Sequence, residues 1–349
     1  MNRLPRRRLG NFFSGHRLLG CLPGRSLAAL LPALLLAACT GTTEPQATAR
    51  LGLVNAGGAE LRTITPGLTS SDVSQPVNGA VDMEVLPGGS QLMVAFRDHI
   101  ELRNASLGSA STLSTPVGVT PCYVRLRASS ARDRFAALSD CGSGAAEQLV
   151  VYRSDGSLAF FATLPPPTPS SSDLSRFAVT ADQAVWLARP ATGGGSELIR
   201  TDATGVKVVT NPPLSAVVYD LAMLGSVLYA ATDSGVRQVN LADATLSQSV
   251  ALPGAANRLY GSDRLLGAWL SGAGSQALTI WDGTRSGAAA FPNDLRDLTF
   301  APDGNAYALT GSTLTRLDTV LGLNQGNWQA TDVATGLNDA RAVTWLTAP

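Results

Sequence analysis

The stretch LRDLTFAPDGNAYALTGSTLTRLD, residues 295–318, decides the fold. It holds an alternating apolar–polar run, a Pro-Asp-Gly turn, and then a second and a third apolar run. Alternation with a period of two turns one face of each run toward a core. Proline presets φ for a tight reversal, and glycine reaches the left-handed conformation that such a turn uses. The same design returns in VDMEVLPGGSQLMVAFRDHIELRN, residues 81–104, with Pro87-Gly88-Gly89 at the turn. Its opening run recurs as CYVRLRA from 122, SRFAVTA from 175, AVVYDLAM from 216, ANRLYGS from 256 and ARAVTWL from 340. The starts are therefore spaced by 41, 53, 41, 40, 39 and 45 residues. A later run repeats as well: VVYRSDG, LIRTDATG, RQVNLAD, LTIWDG and LTRLD each lead into an aspartate, the acid that caps a hairpin turn.

Four short strands in each unit of about forty residues are the signature of a β-propeller blade. The 35 glycines and 20 prolines, spread along the chain, fit many strands with tight turns better than long helices. The ends decide the number of blades. Residues 340–349 supply one opening strand, residues 50–80 supply the strands RLGLVN and AELRTIT without one, and together they fill one period. The expectation is an all-β, seven-bladed propeller over 50–349, closed by pairing N-terminal strands with the C-terminal strand. Such closure removes sheet edges that would otherwise recruit other chains. The long step of 53 residues, which contains PPPTPSSSD, leaves eight blades as the alternative. The TFAPDGNAYAL hairpin and Ile280-Trp281-Asp282 resemble the bacterial WD40-like and surface-layer YVTN propellers, over nearly all of the chain beyond residue 50.

The first 25 residues carry six arginines and no acid, and the apolar run SLAALLPALLLAAC follows. That run is too short to cross a hydrocarbon core of about 30 Å. A basic head, a short apolar run and small residues describe a secretory signal. Leu36-Ala37-Ala38-Cys39 further resembles the lipobox of bacterial lipoproteins. The resemblance implies cleavage after residue 38 and lipidation of Cys39. The implied product is an extracytoplasmic envelope lipoprotein held in the membrane by acyl chains, palmitate among them. Residues 39–49 then form a flexible tether. Each buried CH₂ contributes about 0.8 kcal/mol, so two or three chains anchor firmly.

Without residues 1–38, 20 basic residues face 26 acidic ones, a net charge of −6. That balance argues against nucleic acid as a partner and against a polybasic membrane patch. Cys122 and Cys141 remain after the signal, an even count for an oxidising compartment. Folding the hairpin about SSARD brings them opposite each other, so a disulfide is expected. A redox pair would call for a Cys-x-x-Cys spacing that is absent.

Chemistry is sparse. His99 is the one histidine beyond the signal, which leaves no base for a serine triad and no histidine set for a catalytic zinc. Calcium could use oxygen ligands alone, but no Asp-x-Asp-x-Asp-Gly loop occurs, so neither metal nor cofactor is expected. Trp186, Trp269, Trp281, Trp328 and Trp345 sit at strand positions and read as packing between blades. Residues at the starts of the innermost strands line a propeller's channel. Here they are Asp82, Arg125, Arg176, Tyr219, Asp220, Arg258, Tyr260, Arg296, Asp297 and Arg341, the candidate ligand-binding set. Charged groups converging on a concave site suit a small acidic ligand, with Asp82, Asp220 and Asp297 holding the arginine forks in place. The expected function is a monomeric binding or scaffolding module for an envelope protein or a small acidic ligand. The alternative is a lactonase-like hydrolase that uses the channel carboxylates.

Overall fold

The structure, a computed structural model, describes residues 49–142, 144–166, 175–210, 212–272, 276–291 and 294–347. The expected signal segment, Cys39 and the tether up to residue 48 lie outside them. The unit Ala47–Pro349 forms seven antiparallel sheets of four strands. The seven innermost strands are Ala80–Val85, Tyr123–Ala128, Arg176–Val179, Asp220–Leu224, Arg258–Gly261, Asp297–Phe300 and Ala342–Leu346, and they define blades 1 to 7 in that order. Each touches the next, and blade 7 touches blade 1, so the ring closes.

Blade 7 is built from both ends of the unit, in the order Ala342–Leu346, Arg50–Asn55, Glu60–Thr65, Leu68–Pro76. The closing ladder sets Leu51 opposite Trp345 and Leu53 opposite Val343. Arg341 N–H donates to the Val54 carbonyl at 2.9 Å, and Asn338 N–H donates to Asn55 Oδ1 at 3.0 Å. The long step in the repeat adds no blade. It lies in the passage from the outer strand Leu158–Thr163 of blade 2 to Arg176–Val179 of blade 3, part of which lies outside the described residues.

Seven apolar clusters make up the core, one at each junction between neighbouring blades. Between blades 1 and 2, Met93 and Ile100 pack against Leu126, Phe135 and Tyr152. Between blades 4 and 5, Tyr229 meets Trp281 edge-on at 5.2 Å. Trp186 and Trp269 are buried in such junctions, as their strand positions led one to expect. A blade alone would leave both faces wet, so the ring is what makes burial complete.

The turn acids behave as the repeat implied. Asp155, Asp202, Asp243 and Asp282 each accept the backbone N–H of the Ser or Thr two residues on, at 2.8 to 3.1 Å. These bonds join the third strand to the fourth in blades 2 to 5. Helix α1, Thr319–Gln325, interrupts blade 6; Asp318 caps it by accepting Leu321 N–H at 2.8 Å. Trp328 lies close against Gly287 and Gly322, where a Cβ would stand 2.7 and 2.2 Å from the ring. Only glycine admits the indole at both places.

Cys122 and Cys141 are joined, with Cα atoms 5.0 Å apart. They flank the hairpin of Tyr123–Ala128 and Arg134–Ser139 just outside its register, beside the Asp140 N–H to Cys122 carbonyl bond of 3.0 Å. Closing this loop, with a separation of 19 residues, contributes about 3 kcal/mol in the chain-entropy account.

Candidate functional site

Alternate residues of a strand share a side, so each innermost strand presents two successive positions to the channel. The first positions carry Asp82, Arg125, Arg176, Asp220, Arg258 and Asp297 on blades 1 to 6. The second positions, two residues on, carry Glu84, Arg127 and Tyr260 on blades 1, 2 and 5, but only Ala178, Ala222, Thr299 and Thr344 on the rest. Small residues on four of seven blades leave room.

The three aspartates share one geometry. Asp82 Oδ1 accepts Met83 N–H at 2.9 Å, and its Oδ2 accepts Leu126 N–H of blade 2 at 2.8 Å. Asp220 likewise accepts Leu221 N–H and, from blade 5, Leu259 N–H, both at 2.9 Å. Asp297 accepts Leu298 N–H at 2.9 Å and, from blade 7, Val343 N–H at 2.8 Å. Each carboxylate thus clips its own inner strand to the next one. Both oxygens of each accept backbone N–H groups, so these acids fasten blades rather than hold arginine forks by hydrogen bonds. The hydrolytic alternative asks for the same carboxylates, which are already engaged.

The five candidate arginines separate into two groups. Arg296 and Arg341 lie at the exposed junction of blades 6 and 7 and share Asp339: Arg341 Nη2 is 2.9 Å from Oδ2, and Arg296 Nη1 meets Oδ1. Arg296 also donates to the Ala340 carbonyl at 3.2 Å. Arg125, Arg176 and Arg258 instead hold the first positions of the inner strands of blades 2, 3 and 5. Burial first, then Arg127, Arg176 and Arg258 against the opposing pull of Asp220, bring Arg125 down to about 10. Tyr219 precedes its strand and is exposed, whereas Tyr260 is buried in the channel.

Arg127, absent from the sequence-derived set, is the central cation. Burial opposes its charge, but Asp82, Asp220, Asp297 and Glu84 outweigh burial and hold its pKa above the ordinary arginine value. Carboxylates from blades 1, 4 and 6 all act on it, and Arg127 lines the cavity described below. Burial raises Asp82 and Glu84 above the usual carboxylate range, with Arg127 among the groups opposing it. Burial and the neighbouring Asp82 push Asp297 up to about 7. No hydrogen bond or ion pair to a protein group reaches the guanidinium of Arg125, Arg127 or Arg258 among the described residues. Strand periodicity alone could have found Arg127 and Glu84, two residues beyond Arg125 and Asp82.

Past the second positions lies a cavity of about 400 Å³. Asp82, Glu84, Arg127, Tyr260 and Asp297 line it, with residues 129, 130, 132, 261–265, 300–302 and 304 from the ends of the inner strands. It therefore sits toward the face opposite the Arg296–Asp339–Arg341 cluster. Among the described residues, no group of three or more His, Cys, Asp or Glu side chains is placed to hold a metal ion.

This architecture defines a seven-bladed β-propeller with a charged channel. No protein-family model and no curated protein sequence matches the chain. Solved structures do. Apo AztD from Citrobacter koseri is 11% identical with a TM-score of 0.53, over 86% of this chain and 99% of that one. The dihydro-heme d1 dehydrogenase NirN, solved in complex with DHE, is 12% identical with a TM-score of 0.52, over 86% and 75%. The Swd1 β-propeller domain from Myceliophteria thermophila is 11% identical with a TM-score of 0.51, over 76% and 87%. At such identities the likeness concerns the fold alone, and propellers host unrelated functions.

Proposed function

We propose that this protein is a lipid-anchored, extracytoplasmic binding propeller whose channel takes a small acidic ligand. Its rigid ring presents loops to a partner in the envelope. The observation that carries the ligand reading is the set of channel guanidinium groups, Arg125, Arg127 and Arg258, without hydrogen-bond acceptors among the described residues. Arginine's planar fork suits a carboxylate through two parallel bonds. The basic head, the apolar run and Leu36-Ala37-Ala38-Cys39 support the anchor.

The ligand reading is tested by thermal shift with a panel of organic and inorganic acids. At least one acid is expected to raise the wild-type midpoint by several degrees, and Arg125→Gln/Arg127→Gln is expected to lose that gain. If no acid stabilises the wild type, the reading falls. The anchor is tested separately by fractionating cells that express Cys39→Ala. The variant is expected to leave the membrane or to stay uncut. A cleaved variant that remains in the membrane as firmly as wild type overturns the lipid assignment.

A further inference from the structure

Donors and acceptors around the 400 Å³ cavity are out of balance. On the acceptor side, both oxygens of Asp82 and of Asp297 are engaged by backbone N–H groups. Glu84 accepts from Arg132 at 3.4 Å. On the donor side, a guanidinium carries five N–H groups, and those of Arg127 meet no acceptor among the described residues. Tyr260 Oη has a single contact, the Arg296 carbonyl at 3.5 Å, which is at the limit for a hydrogen bond. Arg127 and Tyr260 are thus donors that a ligand's acceptor oxygens could still engage.

Charge narrows the ligand further. Carboxylates already oppose the Arg127 charge at longer range, so the cavity offers one open fork and no excess field that would favour a polyanion. Its apolar lining includes Phe300 and Trp345. Its volume falls in the range of small-molecule sites, roughly 300 to 1,000 Å³, and far exceeds the share of about 30 Å³ that one water takes.

Resting on the reading that the channel takes an acidic ligand, we propose that this cavity binds a monocarboxylate with an apolar body. Its carboxylate is held by Arg127 and Tyr260, and its body lies against Phe300 and Trp345. Entry is from the face where the inner strands end. The ring of small residues at the second position, Ala222 among them, is what makes the body fit.

The test uses the folded domain with benzoate, 4-phenylbutanoate, acetate and the neutral benzamide as probes. Midpoint shifts and the fluorescence of Trp345, taken as the difference from Trp345→Phe, are the readouts. The two aryl carboxylates are expected to change Trp345 emission and to bind at least tenfold more tightly than acetate or benzamide. Arg127→Gln is expected to remove that preference over benzamide. Ala222→Leu, which narrows the cavity without touching a charge, is expected to weaken the aryl acids at least tenfold and leave acetate unchanged. The emission change needs no charge variant, so a poorly folding Arg127→Gln does not blunt the test. If acids stabilise the wild type but Trp345 does not respond and Ala222→Leu binds as before, the acidic-ligand reading stands and this placement is overturned. If no acid acts on the wild type, both fall.

Discussion

A chain ending at residue 341 is expected to yield no cooperatively folded protein. The deletion removes Ala342–Leu346, whose Ala342, Val343 and Leu346 are buried to within 3% of full coverage. Each large apolar side chain lost is worth about 1.5–3 kcal/mol, and two junctions, with blades 6 and 1, are opened at once. Arg50–Asn55 becomes an unpaired edge, and Asp297 loses its Val343 donor. A domain with about 5–15 kcal/mol of net stability does not survive such a sum. Circular dichroism and thermal melting of the truncated chain check this. A cooperative transition within a few degrees of wild type would show that six blades hold without the seventh inner strand. Adding a peptide of residues 340–349 is expected to restore the transition, which separates a missing strand from a general loss of solubility.

Stability is expected to fall as pH rises from about 4 to 7, with Asp297 responsible for the largest single share. Burial and the neighbouring Asp82 push its carboxyl up from the ordinary aspartate range to about 7 in the folded chain. Between these values the folded state keeps a proton that the unfolded state has released, so raising the pH favours unfolding. Three units at 1.36 kcal/mol each give about 4 kcal/mol as the upper scale of the effect. Asp82 and Glu84, also raised, act in the same direction. The surface aspartates of the turns, such as Asp202, are lowered by their hydrogen bonds and act oppositely, but only below the ordinary carboxylate range. Thermal midpoints of wild type and Asp297→Asn between pH 4.5 and 8 decide the matter. The variant is expected to show a flatter profile; parallel profiles would move the titration elsewhere.

The fold was legible because its signals are local. Pro-Asp-Gly turns, alternating runs and an aspartate two residues before Ser or Thr all fall within a few residues, and the ring repeats them. The strand starts were less legible. The apolar run Ala216–Val218 reads as the opening of a strand, yet the inner strand begins at Asp220. Val218 instead belongs to the cluster between blades 3 and 4, with its N–H on Ser196 Oγ at 2.8 Å. Tyr219 is thereby left exposed. The channel positions could be found by counting, but the roles of their residues could not. Asp82 meets a donor 44 residues away, Asp220 one 39 away, and Asp297 one 46 away. Nothing near an aspartate in sequence distinguishes one that fastens two strands from one that faces a ligand. Arg296 hides its partner in the same way, because Asp339 is 43 residues distant, whereas for Arg341 the same Asp339 stands only two residues before it.

The pairing of Arg50–Asn55 with Ala342–Leu346 also sets a timetable. Synthesis makes the first of these strands long before the second, so the ring cannot close until residue 346 has been added. The Cys122–Cys141 loop, by contrast, is complete once residue 141 has been made, long before the ring can close. A polypeptide threaded lengthwise through a narrow pore would therefore gain its covalent link early and its final shape only after its tail had cleared. Until the second strand is made no closed ring exists, and whatever handles the extended chain meets no folded disc.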